Sequence, residues 1–249
     1  NDELKNAVTK KPFLGFSDTT LNHFMLHKVG LPTFYGQAFL PDVCELAPEM
    51  LPYTKRYFEE FLKTGTIREV RPSELWYTSR TDFSPEALGT ELPAHKNTGF
   101  ELLQGPAQFE GEILGGCIDS MYEMFSGWRY GDMPEVCRNY GLFPSMDDWR
   151  GKILLMESCE EYMPPETYKK ALETLQETGV FDAVSGVLVG KPMDDMYHAE
   201  YKKLLVETIS NKELPILCNI NVGHAQPRCI LPFGVPVHVD ADAQVIRFD

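Results

Sequence analysis

Three polar residues stand directly after apolar segments of the chain, and their types could together perform nucleophilic acyl transfer. Ser17 follows residues 13–16, Glu157 follows residues 153–156, and His224 comes after residues 216–222 and one glycine. In open α/β sheets, active groups gather where parallel strands end at their carboxyl edge. A serine nucleophile, a histidine base and an orienting carboxylate are the groups that this chemistry needs, and Ser…Glu…His is one of its known chain orders. We therefore predict that the three residues meet in one site.

The segment around Ser17 has the form of a turn that displays a nucleophile. Gly15 ends a short apolar run, Ser17 follows two positions later, and a helical pattern begins at once and runs to about Val29. A strand-to-helix turn exposes a serine hydroxyl, and the helix N-terminus attracts negative charge. Thr19, however, stands where the usual Gly-x-Ser-x-Gly pattern has its second glycine. On local evidence alone, Ser17 and Asp18 are more typical of helix N-cap residues.

The other two candidates also have ordinary structural interpretations. Glu157 could be a charge near a turn, and Glu160 and Glu161 look like solvated surface residues. His224 could be a hydrogen-bonded histidine beside Gly223. The sequence pattern alone leaves these alternatives open.

The composition excludes some classes of function. The 249 residues are 43% hydrophobic, and 37 Asp and Glu against 23 Lys and Arg give a formal net charge of −14. A nucleic-acid-binding protein needs a basic surface to neutralise phosphates, so we expect no nucleic-acid partner. No apolar stretch approaches the ~20 residues that span a bilayer, so we expect no membrane partner.

The spacing of cysteines and histidines predicts neither disulfides nor a metal site. None of the six cysteines forms a Cys-x-x-Cys pair, which fits a reducing, cytoplasmic location. His23 and His27 are four residues apart in one predicted helix, but no third ligand follows them. The sequence thus gives no reason to expect a metal or another cofactor.

Helical and strand-like patterns alternate along the chain, which predicts an α/β fold. Periodicity and stop signals predict helices at residues 2–9, 17–29, 49–64, 165–179 and 196–210. Apolar or alternating runs predict strands at residues 30–36, 109–114, 153–156, 183–189 and 216–220, and a closing hairpin over 235–248. Residues 66–105 show little periodicity and are predicted to form a long loop or linker that carries Trp76.

Seven segments of the chain, in order, resemble the LD-carboxypeptidase family of serine peptidases, which includes the microcin C immunity proteins. They are KPFLGFSDTT at 11–20, PTFYG at 32–36, GEILGG at 111–116, ILLME at 153–157, GVFD at 179–182, GH at 223–224 and ILPFG at 230–234. The matches span nearly the whole chain, so together they are specific.

The resemblance implies a role for each candidate residue. Ser17 would be the nucleophile, His224 the general base, and Glu157 the residue that orients the histidine. The backbone N–H of Asp18 would be the first donor of the oxyanion hole. In the family, the second donor comes from a glycine-rich loop that precedes the nucleophile strand.

The resemblance also implies a domain organisation, in which a Rossmann-like N-terminal domain is followed by a mixed α/β C-terminal domain. We expect residues 1–65 to be a remnant of the nucleophile-bearing N-terminal domain, 66–105 the linker, and 106–249 the C-terminal domain with Glu157 and His224. Only one short helical segment precedes the nucleophile strand. We therefore expect part of the N-terminal domain, with half of the oxyanion hole, to be missing from this sequence, and activity of the chain alone to be weak.

Members of the family divide by substrate. Some remove a terminal D-amino acid from LD-linked murein tetrapeptides, whereas the immunity-type members cleave a peptidyl or aminoacyl amide that carries a nucleotide and have a longer, aromatic-bearing loop. Residues 66–105 resemble that loop, so we favour the immunity type, with Trp76 stacking on the base. The murein activity and a catalytically silent binding protein of the same fold are the alternatives, and Trp76 could instead pack against its own domain. The family commonly dimerises, which implies a homodimer.

The chain departs from the family pattern at two further positions. Cys117 stands where the family usually has asparagine after the paired glycines, and Gln37 stands where it often has proline. Any hydrogen bond from that asparagine is therefore in question.

Overall fold

The computed structural model describes residues 2–8 and 11–249, apart from the side chain of Val8. The largest element is an eight-stranded sheet in which the strand order is β3-β13-β12-β7-β8-β9-β10-β6. Its four central strands are parallel neighbours and the flanking pairs are antiparallel. The strands are β3 (Glu69–Val70), β6 (Glu101–Gln104), β7 (Gln108–Cys117), β8 (Ile153–Glu157), β9 (Gly186–Gly190), β10 (Ile216–Ile220), β12 (Pro236–Asp240) and β13 (Val245–Phe248).

A second sheet has three strands and carries the Ser17 turn at one end. Its order is β1-β2-β11, with β1 (Leu14–Gly15), β2 (Thr33–Tyr35) and β11 (Leu231–Phe233). Strands β1 and β2 are parallel and are joined through helix α2 (Thr20–Lys28), so this region is a β-α-β unit. Strand β11 comes from the far end of the chain and pairs antiparallel with β2. The small sheet is therefore completed by the same segment that follows His224.

Helices surround both sheets and bury their apolar sides against a continuous core. The helices, besides α2, are α1 (Asp2–Val8), α3 (Pro52–Thr64), α4 (Ile118–Ser126), α5 (Met133–Tyr140), α6 (Met146–Trp149), α7 (Pro165–Glu177), α8 (Val180–Ala183) and α9 (His198–Thr208). Helix α7 buries Tyr168, Ala171, Leu172 and Leu175, the face that the periodicity predicts. Helix α2 packs against β7 and α4, and thereby joins the small sheet to the large one.

The α/β fold class predicted from the sequence is confirmed, with shifts at the element ends. The hairpin over 235–248 is present as β12 and β13. The predicted first helix is present from Asp2 to Val8, and its last residue, Thr9, lies outside the described residues.

Residues 66–105 contain more regular structure than the sequence predicts. Strands β3 and β6 belong to the large sheet, and β4 (Leu75–Tyr77) pairs with β5 (Ala94–Lys96) in a hairpin of its own. These strands are two to four residues long, too short to show a periodicity. The proposed domain limits at residues 65 and 105 stay a prediction. Among the helices of the described residues, none is long and apolar enough to cross a membrane.

Candidate functional site

Ser17 lies just beyond β1, in a backbone conformation that L-residues rarely adopt. Its φ is 62°, in the left-handed region, at the start of a 3₁₀ turn over Ser17–Thr19. Phe16 and Thr19 are the N-cap residues of this turn and of α2, and neither side chain accepts a capping hydrogen bond from the helix backbone. The interpretation of Ser17 as a helix cap is therefore wrong. Its Oγ instead lies 3.0 Å from Nε2 of His224.

Glu157 is the last residue of β8 and is almost fully buried. Its neighbours are the parallel strands β7 and β9, and only 1% of the residue is exposed. Oε2 is 2.7 Å from Nδ1 of His224. Oε1 accepts a hydrogen bond of 2.6 Å from the hydroxyl of Tyr35. Burial in regular strand structure and two partners fix this carboxylate in place.

His224 follows β10 in a turn that brings its imidazole over Glu157. Gly223 has a φ of 88°, and a Cβ there would lie 2.4 Å from Oε2 of Glu157, so this position needs glycine. The guanidinium of buried Arg228 donates to the carbonyl oxygens of Gly223 and His224, and Nη1 pairs with Asp42 at 3.0 Å. Arg228 thereby holds the turn that carries the histidine.

The Ser17, His224 and Glu157 side chains form one hydrogen-bonded series. Because Nδ1 faces an ionised carboxylate, we place a proton on Nδ1, which leaves Nε2 to accept from the Ser17 hydroxyl when the ring is neutral. Burial by itself lowers the pKa of His224, but the charge and hydrogen bond of Glu157, together with Glu160, outweigh burial and raise the pKa to about 10. The arrangement stabilises an imidazolium, as a general base requires once it has taken a proton.

Tyr35 connects the two sheets at this site. Its hydroxyl donates to Glu157 and accepts the backbone N–H of Ser17 at 3.0 Å. Burial and the nearby Glu157 charge hold the pKa of Tyr35 well above its usual value, so the hydroxyl keeps its proton. Thr20 makes a second connection, since its Oγ1 donates to the Ser17 carbonyl and accepts the N–H of Cys117. Sequence reasoning assigned no role to either residue.

Asp18, the predicted oxyanion residue, follows Ser17 at the start of the 3₁₀ turn. Backbone N–H groups in the first turn of a helix have no intrahelical partner, so such a group can serve a ligand. The Asp18 side chain is exposed and lies 3.5 Å from Nη1 of Arg129. Arg129 also pairs with Glu161 at 3.0 Å. A cavity of about 110 Å³ adjoins this group and extends to Ser120.

Trp76, the predicted base-stacking residue, is half-buried in the β4–β5 hairpin. The His95 ring stacks on it at a centroid distance of 4.1 Å, and the Lys191 ammonium lies 4.8 Å from its ring centre. Lys191 directly follows β9 and is itself buried, in an ion pair with Asp195. The structure therefore does not bring Trp76 into contact with Ser17, Glu157 or His224. It places Trp76 beside Lys191, which follows β9, and β9 is the neighbour of the strand that ends at Glu157.

Glu160 and Glu161 are exposed, as the sequence indicates, but sequence reasoning missed the contact of Glu160 with His224. Glu160 Oε2 lies 3.0 Å from Nε2 of His224, the nitrogen that also faces Ser17. The hydrogen bond to His224 lowers the pKa of Glu160 to about 2. No sequence signal reveals this contact, because Glu160 lies outside helix or strand periodicity. Within residues 2–8 and 11–249, no group of His, Cys, Asp and Glu has the arrangement of a metal site.

The fold and the site together define an α/β protein in which a serine, a histidine and a glutamate are joined at the ends of strands, as in serine hydrolases. Comparisons with known proteins narrow this class. The profile of the LD-carboxypeptidase C-terminal domain matches residues 110–239. The chain therefore belongs to the LD-carboxypeptidase family, as the sequence motifs imply.

Individual relatives are similar to the chain over nearly its whole length. The microcin C7 self-immunity protein MccF of Escherichia coli is 27% identical over 248 residues, which cover 95% of this chain and 65% of MccF. The crystal structure of an MccF-like protein from Streptococcus pneumoniae in complex with AMP is 58% identical, with a TM-score of 0.98, and the match covers all of this chain and 72% of that one. MccF in complex with aspartyl sulfamoyl adenosine shares the fold at 24% identity and a TM-score of 0.77. The chain thus spans about two thirds of the length of MccF.

Proposed function

We propose that this chain carries the catalytic groups of an MccF-like serine hydrolase that cleaves the acyl bond of an aminoacyl nucleotide. The observation that carries the proposal is the series Ser17 Oγ, His224 Nε2, His224 Nδ1 and Glu157 Oε2, with separations of 3.0 and 2.7 Å. Both distances are those of direct hydrogen bonds. The three side chains are thus in contact, as a nucleophile, its base and the group that orients the base would need to be.

The geometry supports the usual two-step acyl transfer. His224 takes the proton of Ser17 as Oγ bonds to the substrate carbonyl carbon, and it then gives that proton to the leaving group, which leaves an acyl-serine. Water, deprotonated by His224, cleaves the ester and regenerates Ser17. Glu157 keeps its negative charge throughout and stabilises the imidazolium. The Asp18 N–H is the oxyanion donor that this chain would contribute.

The nucleotide part of the proposal is supported by the similarity to the AMP-bound Streptococcus pneumoniae protein. We propose that Trp76 contacts the base. Because His95 and Lys191 already lie against its ring, we expect a base to take the place of one of them. A half-buried aromatic ring beside an ammonium group suits the base and phosphate of a nucleotide.

Hydrolysis of an aminoacyl sulfamoyl adenosine, followed by chromatography of the released sulfamoyl adenosine, tests the proposal. We expect turnover by the unmodified protein and a loss of at least about 10⁴-fold in kcat in Ser17→Ala, because the nucleophile is removed. The control is Ser185→Ala, whose hydroxyl contacts backbone carbonyls of Glu110 and Lys152. Equal turnover by Ser17→Ala and the unmodified protein would contradict the assignment.

Murein LD-tetrapeptide hydrolysis is the second candidate, favoured by the family profile itself. The unmodified protein and Ser17→Ala should both be assayed on a tetrapeptide with a terminal D-alanine. Cleavage of the tetrapeptide alone would replace the nucleotide substrate with the murein one. Binding of both compounds without turnover would identify a silent binding protein.

We also expect a homodimer, which sedimentation can test.

A further inference from the structure

Glu160 competes with Ser17 for one nitrogen of His224. Nε2 lies 3.0 Å from Ser17 Oγ and 3.0 Å from Glu160 Oε2. The imidazole itself is 7% exposed, whereas 60% of the Glu160 side chain is accessible. The Glu160 side chain therefore contacts both the buried imidazole and solvent.

The contact with Glu160 and the role of a general base require different protonation states of His224. An ionised carboxylate only accepts hydrogen bonds, so the contact with Glu160 requires a proton on Nε2. A histidine that takes the Ser17 proton must have Nε2 unprotonated. The Glu160 contact therefore belongs to the imidazolium, in which His224 cannot act as a base, whereas the Ser17 hydroxyl can donate to Nε2 only when that nitrogen is unprotonated.

The charged groups around His224 favour the imidazolium in the free protein. Glu157 from β8 faces Nδ1, Glu160 from the following loop faces Nε2, and the Arg228 guanidinium lies on the carbonyl side of the histidine. Both carboxylates raise the pKa of His224 and Arg228 lowers it. Arg129, whose charge also lowers the pKa of Glu160, is paired with Asp18 and Glu161.

A substrate can reverse this preference if it brings a positive charge to Glu160. In an aminoacyl group, the α-ammonium nitrogen is two bonds from the carbonyl carbon that Ser17 attacks. Ser17 Oγ and Glu160 Oε2 each lie 3.0 Å from Nε2 of His224. When Oγ attacks the carbonyl carbon, an ammonium nitrogen two bonds from that carbon is therefore within reach of Oε2. An N-acylated group has no charge at this position.

We propose that Glu160 is the specificity-determining residue that binds the free α-ammonium of the aminoacyl substrate and thereby releases His224 to act as a base. This inference rests on the proposed function. When the ammonium pairs with Glu160, the imidazolium loses its carboxylate partner at Nε2, keeps Glu157 at Nδ1, and gives the Nε2 proton to solvent. Nε2 then takes the Ser17 proton as Oγ bonds to the carbonyl carbon, and the leaving group departs with that proton.

Binding to Ser17→Ala tests the ammonium contact without catalysis. Calorimetry should show tighter binding of an aminoacyl sulfamoyl adenosine with a free amine than of its N-acetylated form, by about 10- to 100-fold for one charge-assisted hydrogen bond. Ser17→Ala with Glu160→Gln should lose this preference. Ser17→Ala with Glu161→Gln is the matched control and should keep it, because Glu161 contacts Arg129 and not His224. A preference that survives Glu160→Gln would overturn the proposal.

The effect on His224 has an independent readout in the ligand-free protein. The imidazole pKa, followed by NMR, should fall in Glu160→Gln and stay unchanged in Glu161→Gln. Where the unmodified protein turns over the free-amine substrate, the lower limb of its pH profile should also move to lower pH in Glu160→Gln. An unchanged imidazole titration contradicts the release step. Absence of turnover in every protein, with the binding preference intact, contradicts only the proposed hydrolase function.

Discussion

The two sheets contribute to the site in different ways. The large sheet positions Glu157 by burial, since β8 lies between two parallel neighbours and each of its residues is buried. The small sheet positions Ser17 by a strained backbone at the end of a two-residue strand. Regular strand structure thus holds Glu157, whereas a local turn and a few hydrogen bonds hold Ser17, the proposed nucleophile. The position of Ser17 therefore depends on a few contacts, and the Tyr35 hydroxyl supplies two of them where the two sheets meet.

Removing the charge of Glu157 should have the largest effect. Glu157→Gln keeps the shape of the side chain but takes away the group that orients and stabilises the imidazolium. We expect kcat to fall by about 10⁴-fold, the loss seen for the equivalent change in a serine protease triad. The measurement is steady-state hydrolysis of an aminoacyl sulfamoyl adenosine.

Glu112→Gln is the control for this change, because Glu112 lies on neighbouring β7 and pairs with Lys152 away from the triad. It should retain near-normal turnover. A loss of kcat of less than about 10-fold in Glu157→Gln would show that Glu157 supports the structure of the site and that its charge does not contribute to catalysis.

Tyr35→Phe should have the next largest effect, because its hydroxyl joins the two sheets. The change leaves Glu157 Oε1 and the Ser17 N–H without this buried partner, which costs about 1–3 kcal/mol in the free energy of unfolding. We expect kcat to fall by roughly 10- to 100-fold as the nucleophile turn loses its alignment. Urea unfolding and the hydrolysis assay measure the two effects.

Tyr57→Phe is the matched control, since this buried hydroxyl accepts the N–H of Arg71 and contacts no triad residue. It should lower stability but leave kcat nearly unchanged. Equal losses of kcat in Tyr35→Phe and Tyr57→Phe would mean that the hydrogen bonds of Tyr35 between the two sheets do not align the site.

The sequence predicts the large sheet better than the small one. Strands β8 and β10 lie in largely apolar runs whose bounds can be identified, and Glu157 and His224 lie at or just beyond their ends. The position of Ser17 opposite His224 depends on the tertiary structure, because residues 207 positions apart must meet. Tyr35 looks like an ordinary strand aromatic, and the contact of Glu160 depends on how a loop turns. Local patterns hold no information on such contacts.

The pH dependence of stability should separate the two regions through their histidines. Burial, partly offset by the hydrogen bond that His23 donates to the Gly15 carbonyl, lowers the pKa of His23 in the small-sheet region to about 4. Its unfolded value is about 6.5, so the unfolded chain binds more protons and stability falls as the pH drops from about 6.5 towards 4. His224 has the opposite sign: its raised pKa gives stability that is full below about 6.5 and is lost as the pH rises towards 10.

Urea unfolding across this pH range measures the acid limb and the alkaline limb of the stability profile. His23→Gln should flatten the acid limb and leave the alkaline limb, whereas Glu157→Gln should flatten the alkaline limb. Carboxylates titrate in part of the acid range, so the quantity to compare is the difference in the free energy of unfolding between each variant and the unmodified protein. An acid limb that is unchanged in His23→Gln would contradict the burial of a neutral imidazole in the small-sheet region.

The smallest effect should come from the backbone of Ser17 itself. Ser17→Gly and Ser17→Ala both remove Oγ and its contact with His224, but only glycine adopts a φ of 62° without strain. We expect Ser17→Gly to be more stable than Ser17→Ala by about 1 kcal/mol in urea unfolding. At Thr19, where φ is −69°, the order should reverse, because alanine is the better residue in a helical conformation. If Ser17→Ala is the more stable of the pair, the nucleophile turn is not strained, and the small sheet must hold Ser17 by its hydrogen bonds alone.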